Sequence, residues 1–585
     1  MTEHAAATEK PGSARYLALG REARDRRAVD VRLLAVPVVL FLLWTVVYPN
    51  VAVVLGSFAE GLGLWRAFAA SPADREALRT SLVVSVASVV AATLIGVPLA
   101  FLLTRFEFRG RRLLAAVATL PAALPPLVGV VAFLFLYGES GVVTRAVQHV
   151  LGLSRAPWTL SGVWAIVFVH AYTMYVYVYL FVGAGLERFD TTLDEAAAGL
   201  GAGRWRRLRR VTLPLLIPAL AGAMLLVFMS SLASFSAPYV FGGGVRVLAT
   251  QIVNSKLNGA MGMAYVETTV LALSAVAALF LFRWLERRRQ YAVTGKGRAT
   301  RVVMRSPAAR VLAPLAALLL VLALVLPHLM VLLVSFARDG AWTTQVLPPE
   351  YTLDNFRRLA TQSQLWRPVR NSVLMTLAAT AANVVVCFVA AYLVVLRRFP
   401  GRRLLQFLVA LPWAIPATAI AIGLAATFNR NDPLTGRVLL VGTFWILPLA
   451  YFIRGVPVVA SAVESSLRQM DPAVEDAARG LGASWVLTMR RVVLPAARPG
   501  LVAGATLAAV TAVGEFVASV VLYTHANRPI SVEILAQLRS LAFGTAAAYS
   551  VLLIGLVLVI TLVARWIDVR APRSAAAAAD ARTIG

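Results

Sequence analysis

The residues of this chain best placed to do chemistry lie in a polar segment that occurs twice. Asp190-Thr-Thr-Leu-Asp-Glu-Ala-Ala-Ala-Gly-Leu-Gly-Ala runs on to Leu213-Pro214, and Asp471-Pro-Ala-Val-Glu-Asp-Ala-Ala-Arg-Gly-Leu-Gly-Ala runs on to Leu494-Pro495. One offset of 281 residues superimposes Glu195 on Asp476, Ala196 on Ala477, Gly201 on Gly482 and Pro214 on Pro495. Each copy predicts a short helix capped by Asp190 or Asp471, with acids in the first turn where the helix dipole favours them. A run of small residues then allows close packing, Gly201 or Gly482 permits a turn, and Leu-Pro restarts the chain. Both copies lie between hydrophobic stretches, and packing alone does not explain an acid, a glycine and a proline held twice at one spacing. The chemistry that fits is recognition, a docking surface for a partner.

The elements around these segments must be membrane spans. Hydrophobic residues make up 59% of the 585, charged residues only 14%, and the mean hydropathy is +0.76, too apolar for a soluble globule of this length. Stretches of about 17–25 apolar residues, enough to cross about 30 Å of hydrocarbon, fall near 33–56, 80–104, 113–137, 160–183, 211–233 and 265–285. A second set of six falls near 311–336, 371–396, 404–428, 438–460, 499–523 and 547–567. The fold expected is all-α, about twelve spans in two six-helix repeats. The single cysteine, Cys387, lies within a span and leaves no disulfide or thiolate metal site to build. Residues 1–30 lack the apolar core and cleavage site of a signal peptide and predict a cytoplasmic tail.

The repeat extends beyond the two segments. Ser81 to Leu114 matches Ser372 to Leu405 at an offset of 291, through Arg109-Gly-Arg-Arg and Pro400-Gly-Arg-Arg, and Pro121 and Pro125 match Pro412 and Pro416. Six spans per half is an even number, so the halves enter the membrane alike, as parallel repeats. The expected domains are a tail over 1–30, a first unit over 31–290 with its loop at 184–213, and a linker over 291–309. A second unit follows over 310–570 with its loop at 462–498, and a tail over 571–585. The net charge of +28 follows topology: with the N-terminus inside, 39 Lys and Arg fall in cytoplasmic segments and 16 in outer loops, and Arg454 lies toward the inner end of a span. This positive-inside bias removes the need for a nucleic-acid partner, while Arg287-Arg288-Arg289 and Arg204-Trp-Arg-Arg-Leu-Arg-Arg could hold anionic lipid headgroups.

The duplicated segment closely resembles the EAA loop of ATP-binding-cassette importer permeases. In that family the acid, the glycine six positions on and the following Leu-Pro mark the coupling helix that docks into the ATPase subunit. The resemblance covers both halves and implies a type I importer permease fold, with Glu195, Ala196, Gly201 and Pro214, and Asp476, Ala477, Gly482 and Pro495, as coupling residues. It implies two separate ATPase subunits, an extracytoplasmic binding protein that delivers substrate, and a place in the cytoplasmic membrane with both termini inside. The second copy departs in having an aspartate where the first has Glu195. The chain itself has no phosphate-binding loop, since Thr294-Gly295-Lys296-Gly297 lacks the leading glycine and the hydroxyl; no cofactor is expected in it, and ATP would be bound by the partners. The segments Ala233-Ser234-Phe-Ser-Ala-Pro-Tyr239 and Val513-Gly514-Glu515-Phe resemble those of fused ferric-iron permeases, and similar ones occur in thiamine, aminoethylphosphonate and polyamine permeases. Fusion of two halves favours iron or thiamine, and iron is the expectation.

Polar residues inside spans are the other candidates for function. Glu515 is too costly to face lipid and should face the bundle interior or a water-filled path; Ser234 is its counterpart, so there is no symmetric carboxylate pair. His170 and Arg454 are expected to be satisfied or snorkelling, and the paired prolines to bend the third spans. A ferric ion wants several hard oxygen donors and no cluster of them is visible, so the metal ligands stay open. A facilitator-type secondary transporter also has parallel six-span halves. It shares the Gly-Arg-Arg inner loops but not the Asp-Arg pair before them, nor the duplicated acid-glycine-proline loop.

Overall fold

The computed structural model describes residues 31–569 except 32, 124, 188–190, 288–301, 304–305 and 343–344. The expected tails, the cap Asp190, Arg288, Arg289, the Gly295-Lys-Gly stretch and most of the linker lie outside the described residues. Among the described residues eleven helices are long and apolar enough to cross a membrane, and a twelfth span results if one bent pair is counted as one. Among the described residues the β structure in strands is a two-residue parallel pairing of Phe106–Glu107 with Val302–Val303.

The prolines act as expected. In the second half the third span breaks between Arg402–Ala414 and Ala417–Thr427, with a bend of 109°. Ile415, just before Pro416, is extended at ψ 124°, and Pro125, just before Pro126, at 135° ahead of the helix Pro126–Tyr137, because proline pushes the residue ahead of it out of the α region and cannot donate to a helix running through it. The first-half break moves its apolar span to 126–150 in place of the expected 113–137.

Two other boundaries differ from the sequence reading. The fourth span of the second half is Ile446–Leu467, not 438–460, which places Arg454 in the amino-terminal half of its helix. The fifth ends at Val513 and resumes as the separate helix Val517–Leu522. Gly514, at this break, leaves no room for a side chain, since a Cβ there would lie 2.5 Å from Pro125 of the other half.

The halves are interlocked by their first spans. Leu33–Gly56 lies on the second half, with Trp44 Nε1 donating to the Leu434 carbonyl at 3.1 Å and Phe41 packed on Phe452 with ring centroids 5.4 Å apart. Reciprocally, Arg310–Ser335 lies on the first half, where the Tyr172 hydroxyl donates to the Leu324 carbonyl at 2.6 Å and hydrogen-bonds with His328 at 2.9 Å. One apolar cluster therefore runs through residues of both halves.

Candidate functional site

The duplicated segments fold alike. Thr191–Gly199 and Pro472–Gly480 are short helices, and Asp471 caps the second by accepting from the Ala473 N–H at 2.9 Å. Gly201 and Gly482 then turn the chain with φ of +78° and +83°, a left-handed conformation that favours glycine. Arg204–Arg207 and Trp485–Thr488 follow, and each leads into a single π turn, Leu208–Thr212 and Met489–Val493, before the fifth span. The π turns have a cause in the sequence. Pro214 and Pro495 have no N–H to give to the carbonyl four residues back, and the backbone widens so that the Leu213 and Leu494 N–H groups bond five residues back, to Leu208 and Met489.

The acids divide their roles in a way the sequence does not announce. Glu195 and Asp476 are exposed. The anchors are the residues just before them: the Asp194 carboxylate binds Arg105 at 2.9 Å and Arg207 at 3.1 Å, and Glu475 binds Arg397 and, at 3.1 Å, Arg479. Arg105 and Arg397 stand at the carboxyl-terminal ends of the second spans, so each loop is pinned to its own half from behind. Arg397 Nε also donates to the Tyr392 hydroxyl at 2.9 Å, and Trp485 Nε1 donates to that hydroxyl at 3.2 Å. Burial opposes the Arg397 charge, but its hydrogen bond to Glu475 and the nearby Tyr392 outweigh it and raise the guanidinium above its ordinary pKa.

With the acids of the anchor turned inward, apolar side chains face out. Leu193 and Val474, Leu200 and Leu481, and Trp205 and Val486 pair at the same offset of 281, and all six are exposed; Leu200 and Leu481 are each 90% exposed. The sequence carries the signal in Gly199-Leu200-Gly201 and Gly480-Leu481-Gly482, a large apolar residue isolated between glycines in both copies. Ala196, Ala477, Gly201 and Gly482 are exposed on the same loops. Pro214 and Pro495 stand apart, at the start of the fifth spans.

If the Glu475 anchor holds the second loop, Glu475→Gln should loosen it alone. Charge-assisted hydrogen bonds contribute about 1.5–3 kcal/mol, so trypsin cleavage after Arg479 is expected to rise roughly tenfold or more. Cleavage in the first loop should not change. A rate equal to that of the parent would show that the ion pair does not hold the loop.

The second candidate region lies at the far ends of the fifth spans. Glu515 is buried, as expected, and its partner is Arg454 of the fourth span, at 2.9 Å; the arginine side chain is 38% exposed and that of Glu515 7%. Glu515 also accepts from the Ala518 N–H at 3.0 Å, closing the start of Val517–Leu522. Ser234, its counterpart, bonds His170 Nε2 at 2.9 Å, and Ser88 and Ser231 both bond His170 Nδ1 at 3.0 Å. His170 and Arg454 are thus both satisfied, the arginine by its ion pair with Glu515. Between these clusters Phe235 and Phe516, equivalent residues of the two halves, meet with ring centroids 5.8 Å apart. Residues equivalent under a two-fold relation can touch each other only near its axis, so the aromatic pair marks the axis between the halves. Among the described residues no three His, Cys, Asp or Glu converge on a metal-sized site.

A family model described as the binding-protein-dependent transport system inner membrane component matches residues 92–291 and again 383–572. A probable ABC transporter permease of Sinorhizobium fredii, y4fN, is 29% identical over 79% of this chain and 81% of its own length. The ferric transport system permease FbpB of Actinobacillus pleuropneumoniae is 26% identical over 93% of this chain and 79% of its own. The molybdenum transport permease ModB of Escherichia coli is 31% identical over 36% of this chain and 93% of its own length, one half's worth. Two matches to the family model, one on each interlocked half, cover most of the sequence, and the chain belongs to the inner membrane components of binding-protein-dependent transport systems, with two permease units in one polypeptide.

Proposed function

We propose that this chain is the complete membrane path of an importer driven by two ATPase subunits, one under each half, and supplied by a binding protein on the outer face. The observation that carries the reading is the pair of loops: the same exposed apolar triad occurs twice, each copy pinned from behind by an ion-paired acid and leading through a π turn straight into a fifth span. Movement imposed on Leu200 or Leu481 by a partner would pass along that helix to the aromatic pair at its far end. Gly201 and Gly482 set the turn, Ala196 and Ala477 allow close approach, and Glu195 and Asp476 offer exposed carboxylates to basic groups of the partner. The units are proposed to run over 31–290 and 310–570.

The cargo we propose is ferric iron. A relative matched over 93% of the chain is a ferric permease, whereas the molybdenum permease matches one half; thiamine, aminoethylphosphonate and polyamines are the alternatives. Uptake of labelled ferric ion against labelled thiamine in a strain deleted for this gene decides between them, since only the true cargo should lose its uptake and regain it on complementation.

The inside excess of Lys and Arg supports a cytoplasmic-membrane location with both loops and both termini in the cytoplasm. After replacement of the buried Cys387, single cysteines at Ala202 and Ala483 are expected to resist an impermeant thiol reagent in intact cells and to react in inverted vesicles. Labelling of either in intact cells would reverse the orientation.

A further inference from the structure

Beyond the ends of the fifth spans, each half extends one cation to the other. Lys256 stands near the end of the helix Leu248–Leu257 and donates its ammonium to the carbonyl of Val521, in the helix Val517–Leu522 of the second half. Arg539, at the end of the matching helix Ile530–Arg539, lies over the ring of Tyr239, 5.1 Å from its centroid, in the helix Ser236–Phe241 of the first half. The two receiving helices are the ones that directly follow Phe235 and Phe516. The contacts are therefore reciprocal, and they flank the aromatic pair on the axis between the halves. A fifth span that starts at the inner loop ends on the outer side, so these cations stand at the outer mouth of the path.

Neither contact cancels a charge. Lys256 meets a carbonyl and Arg539 a π face, and among the described residues neither lies within ion-pair distance of a carboxylate. Burial pulls the Lys256 ammonium down from its ordinary pKa, so it has the most to gain from an anionic neighbour. Beside the aromatic pair, Arg454 and Glu515 neutralise each other. The carboxylates on or against the same two helices are engaged elsewhere: Glu267 accepts from Ser255, Asp74 from Gln251, and Glu533 pairs with Arg528, which leaves Lys256 and Arg539 as the cations without a carboxylate partner that flank the aromatic pair.

We infer that the outer mouth is an anion gate: the cargo passes Phe235 and Phe516 carrying net negative charge, and its oxygens replace the Val521 carbonyl and the Tyr239 ring as partners of Lys256 and Arg539. This deepens the importer reading and rests on it; iron, on this account, crosses enclosed in an anionic oxygen-donor complex and never as the free ion. The exchange is favourable because an anionic oxygen adds a Coulombic attraction that a carbonyl or a ring does not supply, and that attraction is strengthened where burial lowers the dielectric. Rings of fixed charge also select the sign of what passes.

The test needs neither the ATPases nor the binding protein. The full-length chain is reconstituted in planar bilayers with the aromatic pair removed by Phe235→Ala and Phe516→Ala, and the reversal potential is measured in a KCl gradient. The expected leak prefers Cl⁻ over K⁺ several-fold, and adding Lys256→Gln and Arg539→Gln brings the permeability ratio close to unity. A K⁺ preference, or a Cl⁻ preference that survives loss of both charges, would overturn the inference. So would the absence of any leak, because the cations would then not flank the path. None of these outcomes bears on whether ATPase subunits dock on the inner loops, which the loop variants test separately.

Discussion

Aspartate at both Leu200 and Leu481 is expected to strip the ATPase subunits from the transporter and abolish uptake while the chain stays folded in the membrane. Each leucine is 90% exposed, so no packing within the chain is lost. If these side chains enter apolar pockets of the partner, each substitution removes an anchor of the kind that contributes 2 kcal/mol or more to an interface and buries a charge in its place. A loss of about 2–4 kcal/mol per site corresponds to roughly a 30- to 1,000-fold weaker affinity. The readout is co-purification of the ATPase subunits with the tagged permease, and their retention at the parental level would remove these residues from the interface. A gentler pair, Gly201→Ile and Gly482→Ile, perturbs the same loops through the backbone alone. Nothing lies within 4 Å of a Cβ added at either glycine, so the cost is the left-handed φ, about 1–2 kcal/mol for a residue with a side chain. Uptake should fall in these variants while the protein remains in the membrane.

The Arg454–Glu515 pair predicts an asymmetric pair of defects. Arg454→Gln leaves a buried carboxylate without its counter-charge, a loss of the order of 3–5 kcal/mol when a buried pair is broken from one side. Glu515→Gln should cost less, because the arginine side chain is 38% exposed and because glutamine can still accept from the Ala518 N–H. The double variant should recover much of the stability, since it leaves no unpaired charge. Yield and thermal aggregation temperature in detergent report stability, and uptake is measured alongside. Additive losses in the double variant would mean that the pair is not coupled. A Glu515→Gln protein of normal yield but low uptake would place the carboxylate in transport as well as in folding.

Much of this architecture can be read from residue type and spacing, because lipid leaves the backbone few options. The span count, the parallel halves, the bends at Pro125 and Pro416 and the burial of Glu515 all follow from local rules. What was not legible depends on register between elements distant in sequence. Asp194 and Glu195 are adjacent acids, and nothing in the sequence says which one turns back to Arg105; the reversed order Glu475-Asp476 makes sense only once the anchor is seen to be the first of the two. Arg454 and Glu515 lie 61 residues apart, and their pairing depends on how the fourth and fifth spans cross. The π turns could have been anticipated from the proline that follows each of them. The contact between Phe235 and Phe516 could not, because it requires the two halves to be docked.

The exchanged first spans also put biogenesis on a clock. Trp44 finds its acceptor, the Leu434 carbonyl, 390 residues further along the chain. At about 5–20 residues per second of synthesis, the leading span must wait roughly 20–80 s in the bilayer before its docking site has been made. Throughout that interval its Trp44 indole lacks its final acceptor, and the pieces of the second half that it will hold do not yet exist. An amino-terminal half made alone would remain in that waiting state, and so would a ribosome stalled in the linker. Degradation by membrane quality-control proteases should therefore fall most heavily on nascent chains that stop before the second third span emerges.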